Sequence, residues 1–489
     1  YSLNTLSKML KTKDLETLKL TLKQLEEQGK VYFNEDENKY QPFPKQYKIV
    51  TIETGKKGFY FIRNKDSLYP LKDEETMGIL PFDKVILEKT KDGFSIIKIL
   101  KRNNPNIICE VSEKGIRVVG NNNIKVRCNE KKFKDLRLPI GTRILVKIGT
   151  KETNKVYDVS FIEVTGHKND LTSELEAIAC NNGFVTRYTK EELEQINSIP
   201  KEVLEKDKIG RIDLTDEAIF TIDGANTKDM DDAVSIKKLD NGNYVLSVHI
   251  AHVSHYVKLD SEIFKEAARR TTSVYFPNSV VPMLPFEISN GICSLNENED
   301  RLTRTTDITF SPTGKILDFK TYKSVIRSKK KMNYDDVSKI ISSKEVPEGY
   351  ENFAKELKLM GELSRKLSTI KNERGYIGLV NEELKFKLDS LCNTVDIKVE
   401  DNLESHELIE NFMLIPNHLV TTLFCLPFIY RCHGYPSEFK VNELLYKLKE
   451  LGYHTNNLKN MKTSFLLQRL IKDFRDKEEF SVISQIILR

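Results

Sequence analysis

Four aspartates fall within ten residues of the segment TIDGANTKDMDDAV (Thr221–Val234): Asp223, Asp229, Asp231 and Asp232. The flanking stretches AIFTID and AVSI read as strands, which places the carboxylates on a loop between two buried strands. Like charges this close repel, and burying them without a counter-charge is costly. A divalent cation removes that conflict. Hard carboxylate oxygens suit Mg²⁺ or Mn²⁺, and phosphodiester hydrolysis is a reaction that uses such ions. The glycine and glutamate that a calcium-binding EF-hand loop needs at its sixth and twelfth positions are absent. A solvated acidic turn fits the same spacing as well as a metal site does, and both readings stay open at this point.

Other segments offer partners. TTSVYFPNSVVPMLP (Thr271–Pro285) is rich in β-branched residues and punctuated by prolines; Tyr275 and Phe276 suit either a core or stacking on a base. IRSKKKM (Ile326–Met332) is a basic run containing Arg327 and Lys329, fit for a solvated face or for phosphate contact. Strand-like AIFTID, YVLSVHIAHV and TDITF alternate with segments of helical period at 260–270, 335–343, 350–371 and 404–424. From about residue 206 the chain therefore reads as one α/β or α+β domain of catalytic size.

Upstream, Leu15, Leu18, Leu22 and Leu25 recur at helical spacing, Gly29 follows as a C-cap, and Val31–Phe43 reads as a hairpin. Residues 1–41 thus suit a winged helix-turn-helix or a plain helical appendage. Residues 42–105 alternate apolar and polar, with Phe59, Tyr60 and Phe61 beside Lys56, Lys57 and Arg63. Aromatics amid cations on a strand can stack bases and hold phosphates, although an ordinary β-barrel core has the same pattern. Residues 106–165 repeat the β character, and 166–205 read as a polar helical connector.

The composition sets bounds. A chain of 489 residues predicts three or four domains, and 39% hydrophobic with 30% charged residues suits a soluble globular protein. Lys+Arg 77 against Asp+Glu 72 gives +5, an excess that permits local basic surfaces without requiring a polyanionic partner. The seven cysteines (Cys109, Cys128, Cys180, Cys293, Cys392, Cys425 and Cys432) are odd in number and widely spaced, with no C-x-x-C. This argues against a disulfide framework and a cysteine zinc site, and predicts a reducing cytoplasm. The apolar stretch Phe412–Tyr430 is interrupted by Pro416, Asn417, His418 and Pro427, so a buried helix is expected rather than a membrane span.

The acidic segment resembles the signature of the ribonuclease R/ribonuclease II (RNB) exoribonucleases, in which Asp-Gly precedes D-x-D-D. VHIAHVSHYV (Val248–Val257), Arg270–Thr303, SVIRSKKKMNYDDV (Ser324–Val337), ESHELIENFML (Glu404–Leu414) and PFIYRCHGYP (Pro427–Pro436) resemble that family's catalytic domain in the same order, and GHKND (Gly166–Asp170) resembles the connector before it. The resemblance implies a multidomain α/β chain: an N-terminal winged helix-turn-helix (1–41), two cold-shock OB-fold β-barrels (42–105 and 106–165), a connector (166–205) and an α+β ribonuclease catalytic domain (206–489). It also implies roles. Asp223, Asp229 and Asp232 would hold Mg²⁺ (or Mn²⁺), Asp231 would be the most activity-critical carboxylate, with Asp229 beside it, and Tyr275 would pack against the terminal nucleotide. From the pattern of their own segments, Phe59 and Phe61 among basic residues and Arg327 and Lys329 in the basic run are expected to contact RNA. The implied activity is processive 3′-to-5′ hydrolysis of single-stranded RNA to nucleoside 5′-monophosphates, by a cytoplasmic monomer with no membrane segment and no nucleotide cofactor.

Several positions depart from the family pattern. His252 stands where Asp is usual, Ala225 and Asn226 replace an acidic pair, Leu379 stands where an aromatic is common, and Pro416 interrupts a helix motif. The family continues past the position of Arg489, so the catalytic domain is expected to be C-terminally incomplete. The zero tryptophan count, with abundant Lys, Asn and Ile, leads to the expectation of a genome that reads UGA as tryptophan. A catalytically impaired RNA-binding protein of the same family is the alternative reading.

Overall fold

The computed structural model describes all residues except 55–59, 65–66, 72–77, 91–92, 122–123, 154–155, 185, 344, 379–383, 390–392, 400–402, 424–428, 433, 454–460 and 489. The chain divides into two units: Tyr1–Lys190 with Glu266–Met283, and Glu191–Lys265 with Leu284–Arg489. Phe59 and Leu379 lie outside the described residues.

The first unit begins with two helices, α1 (Leu3–Met9) and α2 (Leu15–Glu27), followed by a hairpin of β1 (Val31–Asn34) and β2 (Lys39–Pro42). Ser2 and Asp14 cap the helices by accepting the backbone N–H three residues on. Two five-stranded sheets follow. One runs β5-β4-β3-β6-β7, from β3 (Tyr47–Thr54), β4 (Tyr60–Asn64), β5 (Ser67–Pro70), β6 (Lys84–Thr90) and β7 (Gly93–Lys101). The other runs β10-β12-β11-β8-β9, from β8 (Asn106–Ser112), β9 (Gly115–Val118), β10 (Val126–Arg127), β11 (Thr142–Thr153) and β12 (Val156–His167), with α3 (Lys131–Asp135) between β10 and β11. Bulges in β6–β7 and β11–β12 bend the strands, and both sheets feed one core that includes Ile52, Ile62, Val85, Ile107, Ile144 and Val146. Gly78 is required there: its φ is +81° and a β-carbon would sit 2.0 Å from the Tyr157 hydroxyl. Helix α4 (Leu171–Asn181), capped by Asp170, buries Ala177 and Cys180 against Ile108 and Leu145.

The second unit takes in most of α5 (Lys190–Asn197), then α6 (Glu205–Lys208), β13 (Ile212–Leu214), β14 (Phe220–Asp223), β15 (Asp232–Lys238), β16 (Tyr244–Ala251) and α7 (Val253–Tyr256). Within α8 (Glu262–Arg270) the chain passes to the first unit, where β17 (Val274–Tyr275) and β18 (Val280–Val281) form a ribbon. It returns for β19 (Asp300–Phe310), β20 (Ile316–Arg327), β21 (Lys330–Asn333), α9 (Tyr334–Ser338), α10 (Ala354–Glu373), the hairpin β22 (Leu384–Leu388) and β23 (Thr394–Val399), α11 (Glu404–Thr421), α12 (Glu438–Glu450), α13 (Thr463–Phe474) and α14 (Phe480–Leu488).

Seven strands form one sheet in the order β13-β20-β19-β16-β15-β14-β21. Alternation in β14, β15, β16 and β19 sends Phe220, Ile222, Val234, Ile236, Leu246, Val248, Ile308 and Phe310 to one face, packed against α9, α10 and α11 through Val337, Leu357, Leu363, Leu408 and Phe412. Only Ser328 and Lys329 separate β20 from β21, although five strand-to-strand steps lie between them in the sheet. Flat, those steps would span ~24 Å, against ~10 Å for so short a link. The sheet is therefore rolled, and the Lys329 N–H closes the seam on the Ile219 carbonyl at 2.7 Å.

The helix expected over 404–424 ends at Thr421. Pro416 sits buried inside α11, which runs on through it; the N–H that proline lacks is the one that would have met the Phe412 carbonyl. Among the described residues no helix is long and apolar enough to cross a membrane, and Cys109, Cys128, Cys180, Cys293 and Cys432 are free thiols.

Candidate active site

Asp223 ends β14 and Asp232 begins β15, while Asp229 and Asp231 lie on the loop between them. β14 lies between β15 and β21, with Phe220 opposite Val234 and Asp223 opposite Asn333. Burial of Phe220 and Ile222 on one side of the loop and of Val234 and Ile236 on the other fixes both ends.

The loop itself is held by residues far away in sequence. Met230 is buried, its N–H donates to the Ser294 hydroxyl at 3.1 Å, and its carbonyl accepts from the Leu295 N–H at 2.9 Å. The Ser294 hydroxyl donates in turn to the Lys228 carbonyl at 2.8 Å. Arg301, 3% exposed, fixes that segment from behind by donating to the Ser294 carbonyl at 2.8 Å and the Gly291 carbonyl at 3.2 Å. From β21, the Lys331 ammonium donates to the Ala225 carbonyl at 3.3 Å and to the Thr227 carbonyl. The Ala251 N–H closes the far side on the Asp231 carbonyl at 2.9 Å. Aspartates three residues apart are thus held together although their charges oppose it.

The electrostatics record that conflict. Burial, then Asp232, Asp229 and Asp231, push Asp223 up to about 7, with Lys331 opposing. Burial, then Asp231, push Asp232 up to about 6. Asp231 is raised by its enclosure and then by Asp229, yet its side chain keeps solvent access.

Among the described residues no three His, Cys, Asp or Glu side chains stand grouped as a ready-made metal cage. The donor set nonetheless fits a hard divalent cation in chemistry: four carboxylates lie close together, and the raised proton affinity of Asp223, Asp231 and Asp232 marks a crowding that a cation would neutralise.

The other predicted residues fall elsewhere. Tyr275, 67% exposed, is on β17 in the first unit, and Phe61 is half-buried on β4, opposite Glu53 and Pro70. Arg327 donates to Asp300 at 2.8 Å, and Lys329 donates to the Thr215 carbonyl at 2.6 Å, so these two cations of the basic run have partners within their own unit. The residues that sequence reasoning passed over are Lys331, Ser294 and Arg301. Lys331 lies in the basic run, but nothing local in the sequence marks Ser294 or Arg301. His252 follows β16: its N–H continues the ladder to the Leu302 carbonyl, and its Nδ1 lies 3.0 Å from an Arg211 guanidinium nitrogen.

A model of the RNB domain matches residues 211–489, more than half of the chain. Ribonuclease R of Thermotoga maritima is 30% identical over 497 residues, covering 96% of this chain and 68% of that protein. The chain belongs to the ribonuclease R family. Ribonuclease R 1 of Lactococcus lactis is 37% identical over 331 residues, and the chain spans 40% of that relative's length. Ribonuclease R of Aquifex aeolicus is 30% identical over 489 residues, with 69% of it covered. Among solved structures, Mycoplasma genitalium RNase R in complex with ribose-methylated single-stranded RNA superposes with a TM-score of 0.75 at 27% identity, covering 90% of this chain and 72% of that one. The yeast pseudonuclease Ssd1 shares the fold at 14% identity, with a TM-score of 0.63. The fold is thus a ribonuclease R-like multidomain α/β architecture with sheet-rich, barrel-like regions.

Proposed function

We propose that this chain works as the RNA-binding and hydrolytic body of a processive 3′-to-5′ exoribonuclease that degrades single-stranded RNA to nucleoside 5′-monophosphates. The observation that carries this reading is the tethered loop of Asp223, Asp229, Asp231 and Asp232 inside the region matched by the RNB domain. Asp223, Asp229 and Asp232 would hold Mg²⁺, or Mn²⁺ in its place. When bound, such an ion supplies a nucleophilic water at neutral pH and steadies the leaving oxygen. The raised proton affinity of Asp223 and Asp232 means that they give up protons as the cation arrives. Asp231, the exposed carboxylate of the loop, would align the attacking water and the scissile phosphate.

The remaining assignments follow the family reading. Residues 1–41 act as a winged helix-turn-helix, and 42–105 and 106–165 as OB-fold cold-shock barrels, with 166–205 joining them to the catalytic domain. Tyr275 packs on the terminal nucleotide, while Phe59 and Phe61 stack on bases further along the strand. For Arg327 and Lys329 a phosphate contact requires release from Asp300 and the Thr215 carbonyl. The protein acts as a cytoplasmic monomer.

The test is digestion of 5′-labelled single-stranded RNA by the full-length protein with Mg²⁺. Stepwise shortening with release of 5′-monophosphates, abolished by Asp231→Asn, is the expected result. Undiminished activity in that variant would remove Asp231 from its role. A second reading, RNA binding without cleavage, is favoured by His252 at a position where the family has Asp; protection of RNA by the full-length wild type in Mg²⁺ would select it.

A further inference from the structure

A cationic row crosses the sheet next to the acidic loop. In register, Asp232 on β15 lies opposite Ile250 on β16, Ile250 opposite Arg304 on β19, and Arg304 opposite Lys323 on β20. Directly opposed residues share a face of the sheet, so these four side chains form one line. Strands stand ~4.8 Å apart, which puts Arg304 about 10 Å and Lys323 about 15 Å across from Asp232.

Two features of this line call for a ligand. The neighbours of Arg304 two residues away on the same face, Leu302 and Thr306, are buried, while Arg304 and Lys323 are exposed and Ile250 is 39% exposed. Among the described residues neither cation has a side-chain hydrogen bond or ion pair, whereas Arg327 and Lys320 on the same β20 strand are paired with Asp300 and Asp307. Like charges directly opposite each other on adjacent strands destabilise a sheet. An anion between them would reverse the sign of that interaction.

His252 adds a third donor. Arg211 can only donate, so the Nδ1 that faces it accepts, and the proton of the neutral ring is on Nε2. The ring stays neutral because burial, Arg211, His255, Lys323 and Arg304 all oppose protonation, which also places it within the field of both exposed cations.

We propose that Arg304 and Lys323 form a phosphate-binding patch leading away from the carboxylate loop along the row they share with Asp232 and Ile250. The ligand is a phosphate group, carried either by the RNA backbone or by a released nucleoside 5′-monophosphate. The proposal rests on the reading of the acidic loop as the hydrolytic centre, but the binding it predicts does not need catalysis.

The test uses the full chain in EDTA, comparing wild type with Arg304→Gln/Lys323→Gln and with the single charge reversal Arg304→Glu. The probes are a fluorescein-labelled 15-nucleotide oligo(A), titrated from low to high KCl, and AMP as competitor. For backbone contact, the double variant should weaken RNA binding about tenfold at moderate salt and lower the log–log salt slope by about 1.4, two contacts at about 0.7 each. For product contact, RNA affinity should hold while AMP competes several-fold less well; either result supports the patch. Both exposed substitutions should leave the thermal midpoint within roughly two degrees, so that loss of binding is not loss of fold. Unchanged RNA affinity, salt slope and AMP competition in both variants would overturn the proposal, as would a wild type that binds neither probe. Loss of the patch with RNA cleavage intact, or its retention with cleavage absent, separates this proposal from the hydrolytic reading.

Discussion

The Lys331 ammonium donates to the carbonyl of Ala225 at 3.3 Å, tying a β21 side chain to the backbone of an acidic loop more than a hundred residues earlier. The same ammonium reaches the Thr227 carbonyl and opposes the proton affinity of Asp223. It thus acts on both the shape and the charge of the loop. Lys331→Ala should raise the Mg²⁺ concentration needed for half-maximal activity by about 10- to 100-fold, the range typical of groups that orient ligands from behind. Lys331→Arg should recover much of the loss. A Mg²⁺ titration in which the alanine variant matches wild type would show that the Ser294 contacts suffice.

Those contacts give a stability prediction. Ser294→Ala leaves the buried Met230 N–H without an acceptor and the Lys228 carbonyl without a donor. An unsatisfied buried polar group costs about 1–3 kcal/mol, so the urea midpoint should fall accordingly. An unchanged midpoint would mean that the loop re-forms its bonds with water.

The pH dependence has a definite sign. Asp223 at about 7 and Asp232 at about 6 stand above the ordinary value of 3.8, so the folded metal-free chain holds protons that the unfolded chain has released. Their contribution to stability is therefore most favourable below the ordinary value, and falls as pH rises through it to about 7. Asp223→Asn removes this liability. In EDTA the variant should be more stable than wild type at pH 7.5 and closer to it at pH 5, and saturating Mg²⁺ should shrink or reverse the difference. Equal denaturation midpoints at both pH values would contradict the crowding described for this loop.

Tyr275 is exposed, so its substitution should spare the fold. Stacking on a base is worth about 1–3 kcal/mol, and Tyr275→Ala should raise the KM for short oligonucleotides while Tyr275→Phe stays near wild type. Equal KM values for the alanine variant and wild type would separate this residue from the 3′ end.

Much of the site was legible because its signals are local. Asp-Gly followed by D-x-D-D between two apolar stretches can hardly be anything but a loop between strands, and the structure puts β14 and β15 where the alternation does. Helical periodicity likewise marked α10 and α11. What the sequence left hidden is long-range. Arg327, Lys329 and Lys331 read as one basic run, yet one pairs with Asp300, one with the Thr215 carbonyl and one with the acidic loop. A strand's residues meet whatever the neighbouring strand and the turns of the sheet bring to them, and run composition carries no record of that. Pro416 is the reverse case: the local rule forbids what the buried face of α11, through Leu408, Phe412 and Leu419, holds in place.

The seam between β20 and β21 bears on how the site comes into being during synthesis. Asp223 through Asp232 leave the ribosome long before Ser294, Arg301 and Lys331, and β14 gains its β21 partner only after residue 333 has been made. Until then the emerging chain has the carboxylates without the β21 strand and the Lys331 ammonium that complete their tethering. Rolling up the sheet is a slow, non-local step, since distant strands must meet before any contact rewards them. A nascent chain halted before β21 would therefore carry every aspartate of the loop with its tethering incomplete, so that the finished acidic site comes only with closure of the sheet.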